Sequence, residues 1–280
     1  MKKLCVLVLM LAVANIASAT DHVWVGEQAY AFFTGGDGLT WNSVGNWHNG
    51  VGTGTLPGSL DAARITTNLY GAYPVSQMPT LNSSVTISGL FMGLDAGTHV
   101  PGAALTIQSG GSLTSVSNGV WNPGVQIGWY SNAVLNTAGT LSTGDGWLTM
   151  GAGDGTNGYG NAAMNITGGT VTASAIDFNG NSTNHIQLDS GTLICPNIMG
   201  LHQTNQSIDI TGGKIVLAGD QTVSAWWWAD MSHLTGYGIG SNIQYDFNVT
   251  TPGATTVWAV PEPATMLLMG LGGLLLRKKR

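Results

Sequence analysis

Five segments of the chain share one short pattern, and it constrains the fold more than any other feature of the sequence. ALTIQSGGSLTSVS (104–117), AVLNTAGTLSTG (133–144), AAMNITGGTVTAS (162–174), HIQLDSGTLICP (185–196) and SIDITGGKIVLAG (207–219) align without gaps as apolar-x-apolar-x-x-Gly-x-apolar. The aligned glycines are Gly111, Gly139, Gly169, Gly191 and Gly213, spaced 28, 30, 22 and 22 residues apart. Alternation such as Met164-x-Ile166 before the glycine and Val171-x-Ala173 after it sends every second side chain to one face. The glycine accepts the positive φ that a bend requires. Each unit therefore reads as two short strands pinched at a glycine.

Further short apolar stretches lie between the units: VQIGW (125–129), WLTMGAG (147–153), AIDFNGN (175–181) and NIMGL (197–201). Nowhere in the body does a capped segment of helical periodicity stand out. The fold class is all-β. Repeats of this length suit one coil of a solenoid, so the expectation is a short right-handed parallel β-helix over residues 84–219. Like residues would then stack, with Ile107, Leu135, Ile166, Leu188 and Ile210 as one internal ladder. The alternative is an antiparallel β-sandwich with regular strand spacing.

A short solenoid needs capping at both ends. Residues 20–83 open with three tryptophans close together, Trp24, Trp41 and Trp47. Trp24, Gly26, Trp41, Asn42, Asn46, Trp47, Pro57, Gly58, Asp61 and Ala63 fit the loose pattern W-x-G, W-N-x-x-x-N-W, P-G-x-x-D-x-A. This resembles the opening module of exported bacterial β-helix proteins of the passenger-like kind. The resemblance implies that the aromatic rings cover the first coil. A glycan-stacking role for Trp47 is the functional alternative. At the other end, residues 220–260 contain Trp226, Trp227 and Trp228 in a row, then IQYDFNV and TTVWAV around the turn-like TPGA. The latter two read as a closing strand pair. Read as a strand, the tryptophan run turns Trp227 to one side and its neighbours to the other, making Trp227 a second candidate glycan contact.

Charge narrows the partners. Residues 20–260 carry thirteen acidic side chains against two basic ones, Arg64 and Lys214, a net of −11 with histidine neutral. Such a body does not bind nucleic acid, whose affinity comes from Lys and Arg on phosphates. The remaining cations sit at the termini. Lys2 and Lys3, the apolar run Leu4 to Val13, and Ala17-Ser18-Ala19 compose a secretory signal peptide over residues 1–19, with cleavage expected between Ala19 and Thr20. Cys195 is then the single cysteine of the exported body, set between apolar residues, and reads as buried and inert.

The far end mirrors the first. Pro261-Glu262-Pro263 precedes thirteen apolar or small residues, Ala264 to Leu276, and then Arg277, Lys278, Lys279 and Arg280. Thirteen helical residues rise only about 20 Å, against a hydrocarbon core of about 30 Å. The cations hold this terminus in the cytoplasm and leave the body outside, while the prolines keep the segment before the span extended. Order, spacing and position resemble the PEP-CTERM sorting signal, here residues 261–280. The resemblance implies an exported protein of a Gram-negative bacterium, inserted transiently in the inner membrane. An exosortase would cleave it near the Pro-Glu-Pro and send the body toward the cell surface, often alongside exopolysaccharide.

Chemistry is harder to find in the body. A polysaccharide lyase wants Arg or Lys beside an acidic substrate, and Arg64 and Lys214 are far apart in sequence. A glycosidase wants two carboxylates across a groove. Asp177, Asp189, Asp209 and Asp220 are candidates in adjacent repeats, but Asp189 follows a ladder residue and Asp209 precedes one. The six histidines lack metal-ligand spacing and read as loop or surface residues. No catalytic residue, metal or cofactor is assigned. The expectation is a structural or adhesive protein of the surface or extracellular matrix, with glycan binding and polysaccharide cleavage as the rivals.

Overall fold

The computed structural model of the chain describes residues 20–25, 36–49, 54–66, 78–93, 102–116, 124–154 and 158–262, with the strand pairs 68–69 and 73–74. The signal-peptide residues Ala17 and Ala19 lie outside these, as do Pro263 and the terminal Arg277 to Arg280.

The described body is all-β apart from one helix and two short 3-10 turns, and its repeats pair in parallel. One row of strands begins each repeat: Ala62–Ile65, Gly89–Met92, Val125–Ile127, Leu148–Met150, Ile176–Phe178 and Ile198–Met199 hydrogen-bond in that order. A second row runs from Ala103–Ile107 through Ala133–Thr137 and the first halves of Ala162–Thr172 and Asn184–Cys195 to Gln206–Ile210 and Leu234–Gly236. A third row begins with Ser84–Ile87 and then follows the pinch glycine of each repeat: Ser112–Ser115, Thr140–Ser142, the second halves of the two long strands, and Lys214–Ala218. Parallel pairing of repeat on repeat is what an antiparallel sandwich does not provide.

Alternation explains the core. In the first row Leu90, Val125, Leu148, Ile176 and Ile198 face each other across successive strands, as do Ile65, Met92, Ile127, Met150 and Phe178, all buried. The third row contributes Leu113, Leu141, Val171, Leu193 and Ile215. Each fully buried aliphatic side chain contributes about 1.5–3 kcal/mol, so these columns dominate the stability. Cys195 is in this interior too, where burial pushes its thiol up to about 12 and keeps it protonated.

One expected column is differently composed. Leu135 pairs with Leu105 and Met164, while the partner of Ile107 and Ile166 is the buried Thr137. The repeats do not align without gaps. Three residues separate Ile107 from Gly111, one separates Thr137 from Gly139, and two separate Ile166 from Gly169. Turn length before the glycine varies; the glycine itself does not move. A Cβ on Gly139 would lie 2.3 Å from the Gly111 carbonyl oxygen, one on Gly191 2.6 Å from that of Gly169, and one on Gly213 2.4 Å from that of Gly191. Close approach of stacked backbones selects glycine along the whole column. Positive φ at Gly169, Gly191 and Gly213 adds a second reason at those three.

The C-terminal end departs from the sequence reading. Residues Thr222–Asp230 form an α-helix, so Trp226 to Trp228 do not alternate across a strand. Gln221 is its N-cap, and Asp220, just before Gln221, accepts hydrogen bonds from the backbone N–H of Thr222 at 3.1 Å and from its hydroxyl at 2.7 Å. Beyond it Ile243–Phe247 and Ala254–Ala259 pair antiparallel, and the latter closes the third row by pairing antiparallel with Lys214–Ala218.

Candidate functional site

At the N-terminal end the motif's tryptophans, Asn46, Gly58 and Asp61 are used for closure. Trp47 is fully buried between Trp24 and Trp41, with ring centroids 5.2 and 4.6 Å away at steep edge-to-face angles. Its indole N–H donates to the Trp41 carbonyl at 2.8 Å. Trp47 therefore offers no face to a glycan, and that role is withdrawn. Asn46, also fully buried, accepts from the Gly38 N–H and donates to Asp37 and to the Thr40 carbonyl, holding the loop that precedes the tryptophans. Asp61 accepts from the Gly58 N–H at 2.9 Å and from the backbone N–H and hydroxyl of Thr20 at 3.0 and 2.7 Å. Among the histidines, His22 is not a surface residue: it is buried and 2.8 Å from the Thr55 hydroxyl.

The C-terminal end is built differently. The helix is apolar on both sides, which removes the one-faced periodicity by which a surface helix is recognised. Ala225 and Trp228 point inward, while Val223, Trp226, Trp227 and Met231 form a stripe at helical spacing on the solvent side. Trp226 and Trp227 are 54% and 41% exposed, values that make their rings available to a partner. Trp227 stacks on His202 with centroids 5.5 Å apart. Trp226 borders an open groove of about 460 Å³ whose other walls are Asp230, Ser232, Ile239, Ser241 and Tyr245. Aromatic rings beside hydroxyls and a carboxylate can hold a ligand with one apolar and one polar face. Sequence reasoning named Trp227, which does not line this groove, and missed Trp226, Asp230, Ser241 and Tyr245, which do. Counting apolar residues at i, i+3, i+4 and i+8 from Val223 would have shown the stripe.

The same end releases the tail. Ile243, in the groove wall, pairs with Ala259, and the next residue, Val260, donates its N–H to the Asn242 carbonyl at 2.9 Å. Pro261 and Glu262 follow at the surface, so the sorting segment starts beside the exposed tryptophans.

The candidate carboxylates separate into three situations. Asp189 and Asp209 are brought together on the outward side of the second row, where the Gln187 amide donates to both, at 2.9 and 3.4 Å. Thr211 also donates to Asp189, and Thr235 and the Gly238 N–H donate to Asp209. Asp177 lies on the first row, where burial raises its pKa above the usual carboxylate value. Asp220 is engaged by Thr222 at the start of the helix. His185 and Ser207, neighbours on the same outward side as Asp209, hydrogen-bond at 2.9 Å. These side chains form a polar ladder that satisfies itself strand by strand. Arg64 pairs with Asp21 at 2.6 Å, half-exposed, a contact worth little.

A family model described as the PEP-CTERM protein-sorting motif matches residues 259–280. Neither the curated proteins nor the solved structures contain a match to the chain. A PEP-CTERM motif implies an exported surface protein handled by an exosortase. No helix among the described residues is long and apolar enough to cross a membrane, and the apolar run 264–276 lies outside them.

Proposed function

We propose that the chain is a non-enzymatic structural or adhesive protein of the cell surface or extracellular matrix, released to its destination by exosortase cleavage near Pro261-Glu262-Pro263. Its body is a short right-handed parallel β-helix, closed by the N-terminal tryptophan cluster and the C-terminal helix and strand pair. The parallel pairing of strand on strand from repeat to repeat, interrupted only by register shifts at the glycine turn, carries this reading, because such a stack supplies a stiff, acidic spacer. The outward polar ladder supports a non-catalytic role: Asp189 and Asp209 accept hydrogen bonds from their own neighbours. Before cleavage, the apolar run and its terminal cations tether the body to the inner membrane, as the positive-inside rule requires. Mass spectrometry of the mature protein from its native host tests the processing, with a C-terminus near Pro261 to Pro263 expected in the matrix or surface fraction. A mature chain that still carries Arg277 to Arg280 would sink it.

Glycan binding is the second reading, favoured by the groove that joins Trp226 and Tyr245 to Asp230, Ser232 and Ser241. Saturable binding of the host exopolysaccharide that Trp226→Ala abolishes, with the fold intact, would establish it.

A further inference from the structure

The helix Thr222–Asp230 presents a surplus of apolar surface that its own fold does not use. A helix packed on a β body needs one apolar face, and Ala225 and Trp228 supply it. Val223, Trp226, Trp227 and Met231 are left facing outward, at 77, 54, 41 and 52% exposure. Tyr237 and Ile239 are exposed at the same end of the molecule. A contiguous exposed apolar patch marks an interaction surface.

The chain outside the described residues says what covers it. The last strand stops at Ala259, and four residues, Val260 to Pro263, precede the apolar run. Four extended residues reach at most about 14 Å. A body tethered through Ala264 to Leu276 therefore stands within that distance of the bilayer, with the tail-exit end toward it. The groove bordered by Trp226 includes Ile243, the pairing partner of Ala259, so the helix lies at that same end. The mismatch between a span of about 20 Å and a core of about 30 Å draws the flanking protein further into the interface. Tryptophan and tyrosine are the side chains that settle at headgroup level, an apolar ring with a polar edge.

We propose that, until the tail is cleaved, the outward face of this helix docks on the outer leaflet of the membrane, with Trp226 and Trp227 in the headgroup–acyl boundary. The docked helix holds the Pro261-Glu262-Pro263 segment close to the bilayer surface, at the level where a membrane-embedded peptidase works. Cleavage removes the tether, and the acidic body then leaves, since two side chains without the tether bind lipid only weakly. The proposal rests on the membrane-tether reading of the tail.

The test uses the full chain reconstituted in phosphatidylcholine vesicles, with and without lipids brominated high on the acyl chain. Tryptophan fluorescence of the wild type is expected to be quenched, and W226F/W227F, which keeps apolar bulk, is expected to lose most of that quenching. Co-flotation with the vesicles is measured in parallel for the full chain and for one ending at Glu262. Full-chain flotation with quenching unchanged in W226F/W227F overturns the docking and leaves the tether reading standing. Failure of the full chain to float overturns both. Saturable binding of a neutral glucan by the chain ending at Glu262, lost in W226F/W227F, with no lipid quenching in the full chain, assigns the surface to saccharide and also overturns the docking.

Discussion

The two ends of the molecule spend tryptophan in opposite ways. At the N-terminal end Trp24, Trp41 and Trp47 are all buried against one another and seal the first strands. At the C-terminal end one ring of three, Trp228, does the sealing, and its two neighbours face solvent. A large ring has two uses, closing a stack and meeting a partner. The residue type does not say which applies. What decides is the local backbone. Trp24, Trp41 and Trp47 come from three separate segments, a strand, a turn and a second strand, each of which can turn its indole onto the core. A helix places successive residues about 100° apart and cannot bury three in a row on one side.

The sharpest way to break this contrast is Trp47→Ala. It removes the centre of the cluster and its hydrogen bond to Trp41, leaving a cavity that the neighbouring rings cannot fill. The expected cost is about 3–5 kcal/mol, read as a large drop in the urea midpoint with loss of near-ultraviolet circular dichroism. A loss below about 1 kcal/mol would mean that the cluster covers the end without closing it.

Much of this was legible in advance, for identifiable reasons. The pinch glycines are selected by close contact with the backbone of the preceding repeat, the Leu81 carbonyl for Gly111 and the preceding pinch glycine for the other four, so Gly111 to Gly213 mark the repeat accurately in the sequence. Residues between ladder and glycine are free to vary in number, and counting through them misplaced Leu135 by one pair. The tail is legible because its function lies in its order of residues. The C-terminal helix was hard to recognise as a helix because apolar residues lie on both its inward and outward sides, so its outward stripe does not stand out as a single apolar face. The groove was missed with it, since Trp226, Ser241 and Tyr245 come from three elements that only the fold brings together.

A second contrast between the ends concerns acid. Hydrogen bonds also lower the pKa of Asp220 and Asp246 at the C-terminal end, but those carboxyls are exposed and screened by solvent, whereas Asp61 at the N-terminal end is partly buried. Burial pushes the Asp61 carboxyl up, but hydrogen bonds from Gly58 and Thr20 and the positive charge of a protonated His22 outweigh it, so its pKa lies below the usual value. Asp37 is also held below the usual carboxylate range, by hydrogen bonds from Thr40, Leu39 and Asn46. A carboxyl whose pKa is lowered by folding stabilises the fold above its unfolded value, near 3.9, and loses that contribution as the pH falls through the folded one. The N-terminal end is therefore expected to open first on acidification below about pH 4, seen as faster amide exchange at Gly58 than in Leu234–Gly236. Asp61→Asn is expected to flatten this acid dependence at Gly58 while leaving exchange near neutral pH in the third strand row unchanged. If Thr20 becomes the mature N-terminus, its ammonium replaces the amide N–H now 3.0 Å from Asp61, and the effect grows. An acid response identical at both ends would remove Asp61 as its cause.

The smallest expected effect is also the most direct test of which way the C-terminal helix faces. Trp227→Ala deletes an exposed ring whose aromatic neighbour is His202, itself exposed, so no cavity is opened and no buried donor is stranded. Its effect on stability should lie within about 0.5 kcal/mol, the range of ordinary surface substitutions. Trp228→Ala, one residue on and 6% exposed, should cost several-fold more because it leaves a hole against Ala225 and Leu234 in the same core. Adjacent tryptophans with opposite consequences cannot be produced by composition or by local propensity, which are the same for both. They follow only from a helix with one ring turned in and the next turned out. Comparable destabilisation by the two substitutions would show that Trp227 belongs to the seal, and the outward stripe that distinguishes this end from the N-terminal one would no longer exist.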